Sequence, residues 1–329
     1  MYNNSKTPAK PLSLRICCNV AGFRLMGVTM TKYTKEPLDF ENQAKLLIQR
    51  GLIADKNELS SFLELVNYYR FTGYLYPFRQ KKSDTFIDGT TFQKIRSIYF
   101  FDSKLRLLTF SAIETIDIAI LRTQMVKEFS MQNGPFCYTK QKNYKKGYSI
   151  NEHKFLMRNI KKFISRSSEE FVENYQNKYT GEKYLPIWMI AELSTFGLLS
   201  RMFENLPPSI QVPIAKKYDL HSRELISWLH SLSTIRNICA HHSRLWNRAL
   251  PVRPSIPNKK YHPEFHSPST INNFNYFIIL AIIKYFLGKI EPNNSFMIDF
   301  NKLVNEFPDV PLYKMGFPPN WKSFKIISQ

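Results

Sequence analysis

Acidic residues and cysteines are scarce in this chain, and no long apolar run occurs. Of 329 residues, 26 are Asp or Glu against 46 Lys or Arg, giving a formal net charge of +20 at pH 7 and a pI near 9.7. So one-sided a field attracts polyanions, which makes nucleic acid or an anionic membrane surface the first partners to consider. The membrane reading fails on length. The apolar run from Phe277 to Ile283 is interrupted by Lys284, whereas a spanning helix needs about 20 apolar residues, so a buried helix is expected there and no membrane partner. Four cysteines, Cys17, Cys18, Cys137 and Cys239, have neither the paired spacing of a zinc site nor that of a disulfide framework, which points to a reducing cytoplasm. The apolar patch from Cys17 to Met26 is broken by Arg24 and reads as a poor secretory h-region. Residues 1–29 show no clean amphipathic period and read as a disordered extension or an upstream-start artefact. The chain as a whole is 43% hydrophobic, enough for a globular core in one elaborated domain or two.

The most informative stretch is Arg236-Asn237-Ile238-Cys239-Ala240-His241-His242. It sets a permanent cation and an imidazole about one and a half helical turns apart. A guanidinium presents a rigid fork of donors that fits a phosphate. A histidine can take the proton from a ribose 2′-hydroxyl or return one to the leaving oxygen. Together they can cut RNA without a metal or other cofactor. The plain alternative is a surface cation beside histidines that cap or line a core helix. Adjacent histidines lack the i, i+4 ligand spacing of a helical zinc site, and no acidic partner sits beside them, so no metal is expected.

Read onward to Arg248, the stretch from Ile235 resembles the signature of the AbiD/AbiF-type abortive-infection family, whose members carry the HEPN ribonuclease motif of Arg, four to six residues, then His. Asn67-Tyr68-Tyr69-Arg70-Phe71-Thr72-Gly73-Tyr74, the run Tyr99 to Arg106, Leu185-Pro186-Ile187-Trp188 and Phe196 to Ser200 resemble the same family in the expected order. The resemblance covers about residues 30–290. It implies an all-α, HEPN-like helical bundle acting as an RNase toxin in antiphage defence, paired as a homodimer and held in check in some systems by a small structured inhibitory RNA.

The chain itself reads as successive helices. Phe40 to Arg50 and Leu59 to Tyr69 have amphipathic spacing. Gly73, Pro77 and Gly89 punctuate a basic loop, Arg79-Gln80-Lys81-Lys82. A long helix is expected from Phe92 to about Lys127, with Phe101, Leu105, Leu108, Ala112, Ile116 and Ala119 on its core side. Arg106, Glu114 and Asp117 fall near a polar stripe of it. These carboxylates could hold Arg236 or polarise His241, or simply form an internal ion pair. The layout is then an N-terminal helical region over 30–90, a HEPN-like domain over 91–290 with a basic insertion at about 138–166, and a C-terminal tail over 291–329.

The basic insertion interleaves cations, among them Lys145, Lys146, Lys161 and Lys162, with Tyr138, Tyr144, Tyr148, Phe155 and Phe163. That mix offers phosphate contacts and stacking faces for single-stranded RNA, or reads as a solvated insertion, with Phe155 and Phe163 expected to point into the core. On an ideal helix Asn237 and His241 share a face with Arg244 and Arg248, which are candidate RNA contacts. Arg236, five residues before His241, points about 140° away from it. One helix therefore closes both groups on one phosphate only with difficulty, and two motif helices packed face to face would form a composite cleft. In that cleft His241 serves as acid or base, Arg236 stabilises phosphate charge, and Asn237 orients His241 or the scissile group, leaving a 2′,3′-cyclic phosphate. His242 is expected to support rather than catalyse. The competing readings are a catalytically silent RNA-binding or regulatory protein and a helical interaction module.

Overall fold

The computed structural model describes residues 33–328. From Phe40 onward they form one compact unit, built of helices α1 (Phe40–Gln49), α2 (Lys56–Leu65), α3 (Tyr68–Leu75), α4 (Phe92–Asp117), α5 (Val126–Asn133), α6 (Ile150–Arg166) and α7 (Glu170–Lys178), then α8 (Ile187–Leu193), α9 (Phe196–Glu204), α10 (Pro208–Lys217), α11 (Ser222–Ala240), α12 (Tyr276–Ile290), α13 (Phe296–Glu306) and α14 (Lys325–Ser328). Among the described residues there is no β-sheet, only two isolated bridges, Ile53 with Thr91 and Arg79 with Phe86. The fold is all-α.

Polar residues at the helix starts fix the boundaries. Asp55 caps α2 by accepting from the Glu58 amide at 2.8 Å, and Asn67 caps α3 by accepting from the Tyr69 amide at 2.9 Å. That second cap divides the stretch expected as one helix from Leu59 to Tyr69 into two. Ser149 and Glu152 form a reciprocal capping box at α6, with bonds of 3.0 and 3.1 Å.

The long helix exceeds its expected end. After α4 the backbone is π-helical from Ile118 to Met125 and then returns to α geometry in α5. α4 is the central post: α3, α11, α12 and α13 all pack on it. α12 is buried nearly all round, every residue from Tyr276 to Ile283 lying inside, as the short apolar run implies. No helix of the described residues is long and apolar enough to cross a membrane. Residues 291–328, which the sequence presents as a tail, pack in too. Phe300, Phe317, Trp321 and Phe324 are buried, with Phe300 and Phe317 stacked at 5.7 Å between ring centres.

Candidate active site

α11 is an interior helix with one accessible end. Ile235, Ile238 and Cys239 are buried, Arg236 is half-buried, and Asn237 and His241 are exposed. Burial pushes the Cys239 thiol up to about 12, which makes it a packing group and no nucleophile. α9 comes close at this point: a Cβ on Gly197 would lie 3.2 Å from Ser233 Oγ, so glycine permits the approach one turn before Asn237.

Arg236 sits in a hollow of about 250 Å³ lined by Phe110, Glu114, Asp117, Arg122 and Glu192. Its guanidinium lies over the Phe110 ring, 5.4 Å from the centre, and donates to Asn237 Oδ1 at 3.3 Å. Asn237 therefore steadies Arg236. The His241 imidazole has no hydrogen-bond partner among the described residues. Of the carboxylates expected near the motif, Glu114 is exposed and lines the same hollow, while Asp117 is buried. Asp117 Oδ2 accepts from Arg122 Nε at 3.1 Å and Nη2 at 3.0 Å, and Oδ1 is buried without a partner. Burial raises the Asp117 pKa, with Arg122 and then Arg236 pulling it back. Its ion pair is with Arg122, not Arg236. Arg122 also donates to the carbonyls of Ala191 and, at 3.0 Å, Ser194, closing the end of α8.

The motif helix stops at Ala240, so Asn237, His241, Arg244 and Arg248 do not share a helical face. His242 takes φ +54°. Its amide donates to the Cys239 carbonyl at 3.0 Å and that of Ser243 to the Ile238 carbonyl at 2.9 Å, a Schellman ending with histidine where glycine is usual. The chain that follows is clamped from two distant helices. Arg70 donates to the His242 carbonyl and Arg244 to the Gly73 carbonyl, so one donor of Arg244 is engaged inside the fold. Beneath them the Asp102 carboxylate, fully buried, accepts from the amides of Leu245 at 3.1 Å and Trp246 at 2.6 Å, from the Tyr74 hydroxyl, and from Arg106. Burial raises the Asp102 pKa, offset by Arg106, Tyr74 and the two amides. Arg106 thus serves this brace and not a stripe shared with Glu114. Trp246 stacks on Phe78 with rings 6° from parallel.

In the basic segment the aromatic residues divide differently from expectation. Tyr138, Tyr144 and Tyr148 are buried and Phe163 half-buried, whereas Phe155 is 49% exposed. Phe155 is on α6 but outside the core. Lys145 donates to the Glu204 carbonyl at 3.0 Å, while Lys146, Lys161 and Lys162 are exposed.

A family model described as Abi-like protein matches residues 61–247, more than half of the chain, from α2 to the clamped loop behind the motif. The chain belongs to the Abi-like family. Neither the curated proteins nor the solved structures contain a match. Family membership assigns the protein a role in abortive infection.

Segments of this Abi-like chain that are far apart in sequence meet in the fold. Residues 67–74 supply Arg70, Gly73 and Tyr74, and residues 99–106 supply Asp102 and Arg106. All five meet the backbone or brace of residues 242–246. Residues 196–200 contribute the glycine against Ser233. Three participants are not legible as such in the sequence: Asp102, whose partners lie 28 and 143 residues away; Arg122, which depends on the π-helical turn; and His230, one helical turn before Thr234 on the face that leads to Asn237. Among the described residues no group of three or more His, Cys, Asp or Glu is placed to hold a metal ion.

Proposed function

We propose that the protein is a metal-independent RNA endonuclease toxin of abortive infection, cutting by attack of a 2′-hydroxyl on the adjacent phosphorus to leave a 2′,3′-cyclic phosphate. The observation that carries this reading is the accessible end of α11, where Arg236, Asn237 and a His241 imidazole without a hydrogen-bond partner among the described residues stand at the end of a largely buried helix. Chemistry of this kind needs a proton-transfer group free to meet substrate and a cation for developing phosphate charge. The brace from Asp102 supports it as well, since buried polar groups fix a loop whose position matters.

Arg236 faces the Asp117 hollow and His241 caps the helix, so a phosphate touching both would need a second copy of the chain. We therefore take the working enzyme to be a homodimer with clefts built from two motif helices. RNA is the substrate, and an inhibitory structured RNA would act by covering the same cationic surface.

The test is cleavage of single-stranded RNA by purified protein in EDTA, with product ends assayed for cyclic phosphate. Cutting that disappears in His241→Ala and in Arg236→Ala, with thermal unfolding unchanged, is the expected result. Protein that binds RNA and never cuts it would favour the catalytically silent RNA-binding regulator.

A further inference from the structure

The face of α6 opposite α9 and α11 has features that packing does not explain. Two adjoining hollows, about 380 and 350 Å³, share Phe155, Leu198 and Arg201 and together form one groove. The larger ends on Asn237 and is also lined by Asn159, His230 and Thr234. Phe155 leaves half its ring exposed at this groove, and the side chains of Arg201 and His230 have no hydrogen-bond partner among the described residues. An aromatic face flanked by amide, imidazole and guanidinium groups is the equipment that recognises an unpaired nucleobase.

The outer side of the same helix is charged to match. Lys154, Arg158, Lys162 and Arg166 follow one another at intervals of four residues, so they form a single row with a rise of about 6 Å per step. All four are exposed, and none has an acidic partner among the described residues. This row lies one residue, about 100°, from the row of Asn151, Phe155, Asn159 and Phe163. A strand whose phosphates follow the cations can turn a base over the helix onto Phe155.

We propose that this groove is a base-binding subsite for single-stranded RNA, in which Phe155 stacks on one unpaired base and holds it beside Asn237, and so beside the phosphate to be cut. The proposal rests on the RNA reading above and deepens it by giving the single strand a base-binding subsite that a duplex does not use. A duplex keeps its bases stacked and offers none to the groove.

The experiment uses the full chain carrying His241→Ala, which removes cutting from the measurement, and a fluorescent single-stranded RNA of about 10 nucleotides. Phe155→Ala on this background is expected to weaken binding about tenfold, and Phe155→Trp to preserve it. With an RNA carrying one abasic nucleotide in place of the held base, found by scanning, the Phe155→Ala protein and its parent are expected to bind alike. The ring is half exposed, so its removal leaves the core filled. A melting curve that matches the parent's is the check, and Phe155→Leu serves as a second variant that keeps the packing contacts. Equal affinity of the parent and its Phe155→Ala and Phe155→Leu variants, equal losses on duplex RNA, or no RNA binding would each overturn the subsite. Phe155-dependent binding, together with no cutting by the protein that retains His241, would retain the subsite and refute the nuclease, so the two readings fail separately.

Discussion

Two pairs of residues in this protein have the same spacing and opposite fates. Asp117 and Arg122 are five residues apart and meet through hydrogen bonds of 3.0 and 3.1 Å. Arg236 and His241 are also five apart, and no hydrogen bond joins them. On α-helical geometry either pair is separated by about 140° around the axis. The first pair meets because the backbone is π-helical from Ile118. The second stays on an α-helix that ends at Ala240, so its members face different surroundings. Winding, not spacing, decides which polar pair closes within the chain and which stays open.

Removing the open pair should have the largest effect. Arg236→Ala and His241→Ala should each lower RNA cleavage about 10²- to 10⁴-fold and abolish growth arrest, with the unfolding transition unchanged. Arg236 loses its contacts with Phe110 and Asn237 and its charge near Asp117, whose ion pair with Arg122 stays, and His241 is exposed. Unchanged killing by either variant would remove the group from the chemistry.

The closed pair should behave in the opposite way. Arg122→Met leaves a buried carboxylate and the carbonyl end of α8 without their donor, at a cost of about 3 kcal/mol or more in stability. Denaturant unfolding measures it. Asp117→Asn with Arg122→Met should recover part of the loss, since no uncompensated charge then stays inside. A fully stable Arg122→Met protein would show that the pair is ornamental.

A complementation experiment sharpens the argument about where the open pair closes. If each cleft takes Arg236 from one chain and His241 from the other, mixing Arg236→Ala with His241→Ala protein restores one complete cleft per heterodimer. Random mixing makes half the dimers hetero, so about a quarter of the parent activity should return. Dilution below the dimer dissociation constant should abolish it. A verified heterodimer with no activity, or a fully active monomer by light scattering, would place both groups on one chain's substrate.

How much of this is legible in the sequence follows the range of the interactions involved. The helical periods of α1, α4 and α12 are local, and their apolar spacing announces them. The π-helical turn is not local in origin: nothing in residues 118–125 alone demands it, and its most evident support is Arg122 reaching the carbonyls of Ala191 and Ser194. The motif residues are readable as types, but not the end of their helix. That end depends on His242 in a left-handed conformation and on Asp102, contributed by α4. The expected helical face shared with Arg244 and Arg248 fails for that reason. The stacking aromatics are hidden in the same manner. Tyrosines at 138, 144 and 148 look like surface stacking groups beside lysines, yet Tyr144 and Tyr148 stack on each other at 4.5 Å inside the fold. Phe155, one residue from the buried Leu156, is the ring left outside.

The smallest effects expected are those of the lysines, and they divide by environment. Lys161 and Lys162 are exposed on α6; replacing both by Gln should flatten the dependence of log affinity on log salt by about 1.4, or 0.7 for each lost single-strand phosphate contact. The exposed Lys146 should add a further step. Lys145 is different because its ammonium is held by the Glu204 carbonyl. Lys145→Gln should therefore change thermal stability slightly and the salt slope less than either α6 variant. Affinity measured from low to moderate salt for the four single variants decides the matter. A slope that falls as much for Lys145 as for Lys161 would mean the ammonium leaves its carbonyl for RNA, and an unchanged slope in all four would return the segment to a solvated surface.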